Sequence, residues 1–419
     1  MRVIPVLLFA AGCPMLLAAD AIAPEVQILQ RARTHMSDTL EHLPNYTCLQ
    51  TIERTQRLAP RRKPSVLDVV RIEVALVDGK ELFSWPGSGK FVDTEISEMI
   101  PGGATGTGSF GLHAKSVFQS SVATFRYEGQ EIRAGRNSHK WTFAVPQFRS
   151  GFSLRAGTRE AVVGYSGAFW IDEQTLDAVR LEVHADDIPP ILRISSASDT
   201  VEYRRAQIGA QEFLLPSTAE LRMADNNGNE NLNRTVFSSC RQYTGESTLL
   251  ADEPEAKPIV QEAERILEAP AGLTLHFSLD TPIILKSAAV GDPVTAVLLK
   301  SVKLPDGSAI PKGAFVHGRL THLRASSAMR VPSLAIGLKF FEMEAPGLRV
   351  RMNGVLHLLH TASPEFINRP SAPGQLSAAR LENETILGSL IFVRDYTSQL
   401  RRGLSFIWQT TPLRSGDRP

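Results

Sequence analysis

A period-two alternation of apolar and polar residues returns in short runs along most of the chain, and no other feature limits the fold so strongly. Val70, Ile72, Val74 and Leu76 face one way and Arg71 and Glu73 the other, ahead of an Asp78-Gly79 turn. Trp141, Phe143 and Val145 alternate likewise, as do Val179, Leu181, Val183 and Ala185 against Arg180, Glu182 and His184, and Val201 and Tyr203 against Glu202 and Arg204. Helical spacing is clear in one place, Pro24 to Leu43, where Val26, Leu29, Ala32, Met36, Leu40 and Leu43 recur every three or four residues. Thr94–Ile100 and His113–Ser120 are short helical candidates on either side of the glycine-rich stretch Pro101–Gly111, which reads as a mobile loop. The pattern predicts a mainly β chain with a few helices (α+β): one curled antiparallel half-barrel sheet over helices, then a small C-terminal β-barrel or sandwich.

The second block begins after Asp252–Pro258, a helical stretch to Leu267 and Pro270-Ala271-Gly272, which together read as a linker over 251–270. Leu273, Leu275, Phe277 and Leu279 then alternate with Thr274, His276, Ser278 and Asp280, and strands fit Val294–Leu299, Phe315–Leu323, Leu334–Phe341 and Leu348–Leu359. Residues 361–375 carry three prolines and read as a loop, and Ser377–Trp408 fits helix or strand. The expected organisation is a signal peptide over 1–21, a half-barrel over 22–250, the linker, a small barrel over 271–360, and a tail over 361–419 that completes the barrel.

Export is expected from the start of the chain. Arg2 precedes an almost wholly apolar run from Val3 to Leu17, and the small residues around Ala18-Ala19-Asp20-Ala21 place a mature end near Asp20 or Ile22. Cys13 follows Ala10-Ala11-Gly12, a weaker match to a lipoprotein processing site. Past the leader no apolar run reaches the roughly 20 residues a spanning helix needs, so the mature chain is expected to be periplasmic or secreted, without a transmembrane segment. Two cysteines then remain, Cys48 and Cys240, and an oxidising compartment favours a bond between them over two unrelated buried thiols. A formal net charge of +1 argues against nucleic acid as a partner.

The chemistry-bearing candidates are weak. Gly87-Ser88-Gly89-Lys90 lacks the spacing of a phosphate loop and reads as a surface turn, and Gly102–Gly108 lacks that of a dinucleotide fingerprint. Gly164-Tyr165-Ser166-Gly167-Ala168 lacks the last glycine of a nucleophile elbow, which puts Ser166 in a hairpin turn. His317 and His322, and His357 and His360, are spaced so that a strand sends each pair to opposite faces. No catalytic, cofactor-binding or metal-ligating residue is therefore expected, and no cofactor.

The N-terminal helix followed by alternating strands, with Gly167-Ala168-Phe169-Trp170-Ile171-Asp172 near Val179-Arg180-Leu181-Glu182, resembles the LolA-like half-barrel family of periplasmic lipoprotein carriers over about Ile22 to Leu250. That resemblance implies a sheet cupping an apolar cavity, with a lipid, an acyl chain or another hydrophobic partner as ligand. Ala271–Leu275, Gly291–Ala296 and Ile310–Gly318 occur in an order similar to the TrbI-like β-barrel of conjugation and type IV secretion channels, which implies a barrel that contacts other envelope proteins. Together they imply a non-enzymatic envelope protein. A secreted hydrolase using Ser166 and a purely structural scaffold remain the alternatives.

Overall fold

The computed structural model describes residues 23–60, 63–94, 96–100, 103–243, 265–326, 333–360, 376–380, 389–393 and 399–413. The leader with Cys13, most of the linker and the 361–375 loop lie outside the described residues.

The first block is one ten-stranded antiparallel sheet. Its elements in chain order are α1 (Pro24–Glu41), β1 (Tyr46–Arg57), β2 (Ser65–Val77), β3 (Lys80–Ser84), α2 (Ile96–Met99), α3 (Leu112–Phe118), β4 (Thr124–Arg133) and β5 (Arg136–Val145). A hairpin of β6 (Ser153–Ala156) and β7 (Arg159–Val162) follows, and then β8 (Gly164–Asp172), β9 (Ala178–Asp186), β10 (Ile194–Ile208), β11 (Gln211–Asp225) and β12 (Glu230–Gln242). The order across the sheet is β3-β2-β1-β12-β11-β10-β9-β8-β5-β4, with β6 and β7 paired apart from it. Ala32, Met36 and Leu40 of α1 and Ala114, Val117 and Phe118 of α3 fill the concave side against Trp141, Phe143, Phe169, Leu181 and Val183. The helix periodicity and the β5 alternation thus meet in one core.

Val179 departs from the expected face. A register shift opposite Trp170 and Ile171 turns it away from Leu181 and Val183, and it packs with Ala168 and Trp170 on the other side of the sheet. There the Trp170 ring is covered by the Arg133 guanidinium at 4.6 Å and the Lys140 ammonium at 4.9 Å.

Cys48 and Cys240 are disulfide-bonded across β1 and β12, with a Cα–Cα distance of 4.1 Å and a sequence separation of 192. Thr47 pairs with Arg241 and Leu49 with Ser238, so a bulge in β12 sets Ser239 and Cys240 opposite Cys48. The bond ties the start of the sheet to its last strand, and the alternative of two unrelated thiols falls away.

The second block contains β13 (Arg265–Glu268), β14 (Thr274–Leu279), β15 (Ile283–Ile284), β16 (Pro293–Leu298), β17 (Val302–Lys303), β18 (Ala309–Ile310), β19 (Phe315–Ser326), β20 (Ser333–Ala345), β21 (Leu348–Arg351) and β22 (Asn353–His360). The tail adds β23 (Leu376–Arg380), β24 (Ser389–Val393), β25 (Gln399–Leu400) and β26 (Ser405–Thr411). The main path is β13-β21-β20-β19-β16-β14-β26-β22, and β22 returns to lie against β20, so the sheet curls on itself. Phe277, Phe340, Phe406 and Trp408 form its centre, all essentially buried. The described pieces of the ambiguous Ser377–Trp408 stretch are strand except for a turn at 401–404, because partners β14, β15, β20 and β22 are available to them. The helical stretch expected up to Leu267 is contradicted at residues 265–268: they pair in parallel with β21, a long-range partner that local periodicity does not reveal.

The two sheets are joined by specific contacts. Arg71 N donates to Val290 O at 2.7 Å, and Val290 N donates to Val69 O at 2.8 Å. The Arg71 guanidinium grips Asp292 at 2.7 and 2.8 Å. Gly291 is required between them: its φ is +100°, and a Cβ there would lie 2.2 Å from Arg71 O. Deeper in, the buried Asp68 carboxylate takes the Arg54 guanidinium at 2.6 and 2.7 Å and Arg324 of β19 at 2.9 Å. Burial works against ionisation of Asp68, but Arg54 and then Arg324 outweigh it and hold the carboxyl below the usual carboxylate range.

Asp68→Asn keeps the shape and removes the buried charge that Arg54 and Arg324 both grip, so it is expected to lower unfolding stability by about 3–5 kcal/mol. The part of that stability due to Asp68 is present above its unfolded pKa and is lost as pH falls through the lowered folded value. Urea unfolding of the variant at neutral pH checks this, and an unchanged midpoint contradicts it.

Candidate functional site

The glycine-rich stretch, expected as a mobile loop, crosses the concave side of the sheet beyond the helices. Gly103 lies over the Arg54 guanidinium and Gly106 over Leu221. The Asn233 side-chain amide donates to Ala104 O at 2.8 Å, and Phe110, buried, sits 4.9 Å from the Tyr46 ring and 5.3 Å from Phe237. Residues 103–111 therefore form a strap over β1, β11 and β12, while α1 and α3 cover β5, β8 and β9.

One carboxylate holds the strap. Glu81 of β3, buried, accepts backbone N–H groups from Gly108 at 2.9 Å, Gly111 at 3.0 Å and Leu112 at 3.4 Å. Burial raises its pKa, and although the Gly108 hydrogen bond and the nearby His113 pull the other way, the net shift is upward from 4.5. Behind the strap His113 Nε2 and Asp199 Oδ2 are 3.1 Å apart, both buried. Gly108, at φ +104°, lies against the imidazole, where a Cβ would come within 2.9 Å of the ring. The hydroxyls of Tyr46 and Tyr203 are buried here without a hydrogen-bond partner among the described residues, and burial pushes both phenols up. His113 and Asp199 have the form of a base and its orienting acid. Among the described residues, however, no hydroxyl hydrogen-bonds the imidazole.

A groove of about 1030 Å³ opens beside the strap, between α1, α3 and the β2–β3 turn at Asp78-Gly79. Leu40, Leu76 and Phe118, nearly buried, and Leu43 are the large apolar side chains that border it, and most of its other lining residues are polar. Polar groups form the rim. Arg33 donates to the carbonyls of Phe118, at 3.2 Å, and Ser120, and Ser37 donates to Glu41 at 3.0 Å. Lys115 lies over Gly79 and has no carboxylate partner among the described residues.

The sequence candidates are not gathered into a site. Ser166 lies inside β8, where strand pairing on both sides replaces the expected hairpin turn; it faces Ala144 and His184, and no hydrogen bond joins it to His184. His317 contacts Glu344 at 2.7 Å, and His322, held below its usual pKa by burial and by Arg324, lies elsewhere on β19. His357 is exposed, and the His360 side chain lies outside the described residues. Gly87 and Ser88 belong to a turn closed by Ser88 N to Trp85 O at 3.0 Å, and Gly89 and Lys90 follow it. Among the described residues no three His, Cys, Asp or Glu side chains come together to hold a metal ion, and no helix is long and apolar enough to cross a membrane. Nothing in the sequence singled out Glu81, His113 or Asp199: the last two are 86 residues apart and belong to no motif.

No family model matches the sequence, and no curated protein does. Among solved structures, the chain is similar to a putative outer membrane lipoprotein-sorting protein domain from Vibrio parahaemolyticus, with 12% identity, a TM-score of 0.30, and 52% of this chain and 92% of that one covered. A DUF1329 family protein from Desulfovibrio piger matches at 11% identity and a TM-score of 0.29, covering 52% of this chain and 95% of its own. The Pseudomonas aeruginosa MucA/MucB complex matches over 91% of this chain and 94% of its own, at 12% identity and a TM-score of 0.18. The functional reading rests on the geometry of the chain itself.

Because folding raises the Glu81 pKa, the folded protein holds that proton more tightly than the unfolded chain, and its contribution to stability grows as pH falls from neutral towards 4.5. Glu81→Gln removes this term. The unfolding free energy of the parent protein is expected to rise relative to the variant as pH falls over that range, and a pH-independent difference in paired denaturation curves contradicts it.

Proposed function

We propose that this is an exported, non-enzymatic envelope protein whose half-barrel binds a hydrophobic ligand in the groove between α1 and α3. The observation that carries the reading is the groove itself, which has the volume of a small-molecule site and brings Leu40, Leu43, Leu76 and Phe118 together with a largely polar lining, as an amphiphile with a polar head would require. Export is supported by the Met1–Ala21 sequence and by the Cys48–Cys240 bond, which belongs to an oxidising compartment. The reading as a binding protein is supported by the placement of Ser166 within a paired strand and by the sealing of His113 and Asp199 beneath the strap.

In this reading the chain divides into the half-barrel over 22–250, the linker over 251–270 and the barrel over 271–360, completed by the tail. The barrel, similar in motif order to the TrbI-like family, docks other envelope proteins. The Gly291-Asp292-Pro293 part of that resemblance is turned inward, onto Arg71 and Trp85.

Burying an acyl chain is worth about 0.8 kcal/mol per methylene, so around ten buried methylenes suffice for micromolar binding before entropic losses. Titration of the full mature chain with a long-chain fluorescent fatty acid is expected to give saturable micromolar binding. Thr34→Trp, which adds bulk from the exposed side of α1 into the groove, is expected to weaken it at least tenfold. Absence of saturable binding contradicts the reading and leaves a scaffold, for which the side-chain-filled concave face is the supporting observation.

A further inference from the structure

At one end of the first sheet, three neighbouring segments each turn one large apolar side chain outward. Phe148, in a single 3-10 turn at Gln147–Arg149, is 83% exposed; Ile191, in the turn Pro190–Leu192, is 60% exposed; and Val162, at the end of β7, is 44% exposed. Hydrogen bonds hold the segments side by side. The Gln147 side-chain amide donates to Val162 O at 2.8 Å, and Arg159 donates to Ile191 O at 3.1 Å. Beneath them lies a small separate core of Leu154, Val163, Leu192, Ile194 and Ala197. Val163 and Leu192 are the immediate neighbours of Val162 and Ile191, and they are 0% and 2% exposed. The local core is thus complete without the outward residues, and folding does not account for them.

The same segments carry arginines. Arg149, whose guanidinium lies 5.7 Å from the Phe148 ring, has no carboxylate partner among the described residues. The same holds for Arg159 and Arg193, whereas Arg155 is paired with Glu160 at 2.8 Å. Three further acids lie at this end and none pairs with these arginines: Asp186 pairs with Gly164 within the sheet, the exposed Asp187 has its carboxylate facing Gly164, and the Asp225 carboxylate takes Asn229 at 2.7 and 3.0 Å. A tip with exposed apolar points beside guanidinium groups that face no carboxylate is complementary to a surface of phosphates over hydrocarbon.

We propose that this tip, Phe148, Val162 and Ile191 with Arg149, Arg159 and Arg193, docks the protein on an anionic lipid surface. The apolar side chains enter the headgroup boundary, and the guanidinium groups bind lipid phosphates. The tip stands apart from the groove and does not depend on what the groove binds.

The test uses the full mature chain carrying Phe148→Trp, mixed with vesicles of phosphatidylcholine alone or with phosphatidylglycerol added. The added indole is expected to shift its emission to the blue and to be quenched by brominated lipid, on the phosphatidylglycerol vesicles above all, and high salt weakens the effect. In co-sedimentation, Phe148→Ser with Ile191→Ser is expected to reduce vesicle binding at least tenfold. Both positions are exposed, so the variant keeps its fold, which an unchanged melting curve checks, and it retains fatty-acid binding in the groove. No partition onto phosphatidylglycerol vesicles, emission unchanged by vesicles, or equal binding by the double variant each overturns the proposal.

Discussion

A curled sheet of ten strands presents an apolar concave side that water must not reach, and nearly everything else in the first block follows from how that side is covered. Two short helices and one long one are too few for it. The remaining area is taken by a stretch of backbone that is glycine-rich because it runs close to Arg54, Leu221 and His113. A strap of this kind brings unpaired amide groups into the core, and Glu81 answers them with a single carboxylate. The cost of burying that carboxylate appears as its raised pKa.

The second sheet is fixed to the first by contacts of a different kind. Asp68 between Arg54 and Arg324, and Asp292 on Arg71, are directional and charged, so they set orientation more than they add stability. Apolar packing continues through the same region, since one cluster takes in Val70 and Ile72 of the first sheet and Val290 and Leu320 of the second. The disulfide closes the first sheet independently, between its first strand and its last.

What was legible in the sequence is what local periodicity encodes. Leu275, Phe277 and Leu279 alternate and are buried together, and Ala32, Met36 and Leu40 keep helical spacing and share a face. The cysteine pairing was legible because only two candidates remained. Features set by distant partners were not: the strand at 265–268 exists through β21, and Val179 changes sides at a bulge that no residue type announces. The strap was hidden for another reason. Its packing is made by backbone and by Phe110, and a glycine-rich run has no side-chain pattern to read. The groove was equally invisible, since Leu40, Leu76 and Phe118 are contributed by three elements, each of which reads as an ordinary core position.

Whether the groove between α1 and α3 holds an apolar ligand in the protein's own setting decides between a binding protein and a scaffold. Native mass spectrometry of the full chain purified from its own envelope measures this most directly. The predicted result is a population heavier than the mature polypeptide by one bound amphiphile, absent when the groove is filled by Thr34→Trp. The bare polypeptide mass from both proteins would contradict it.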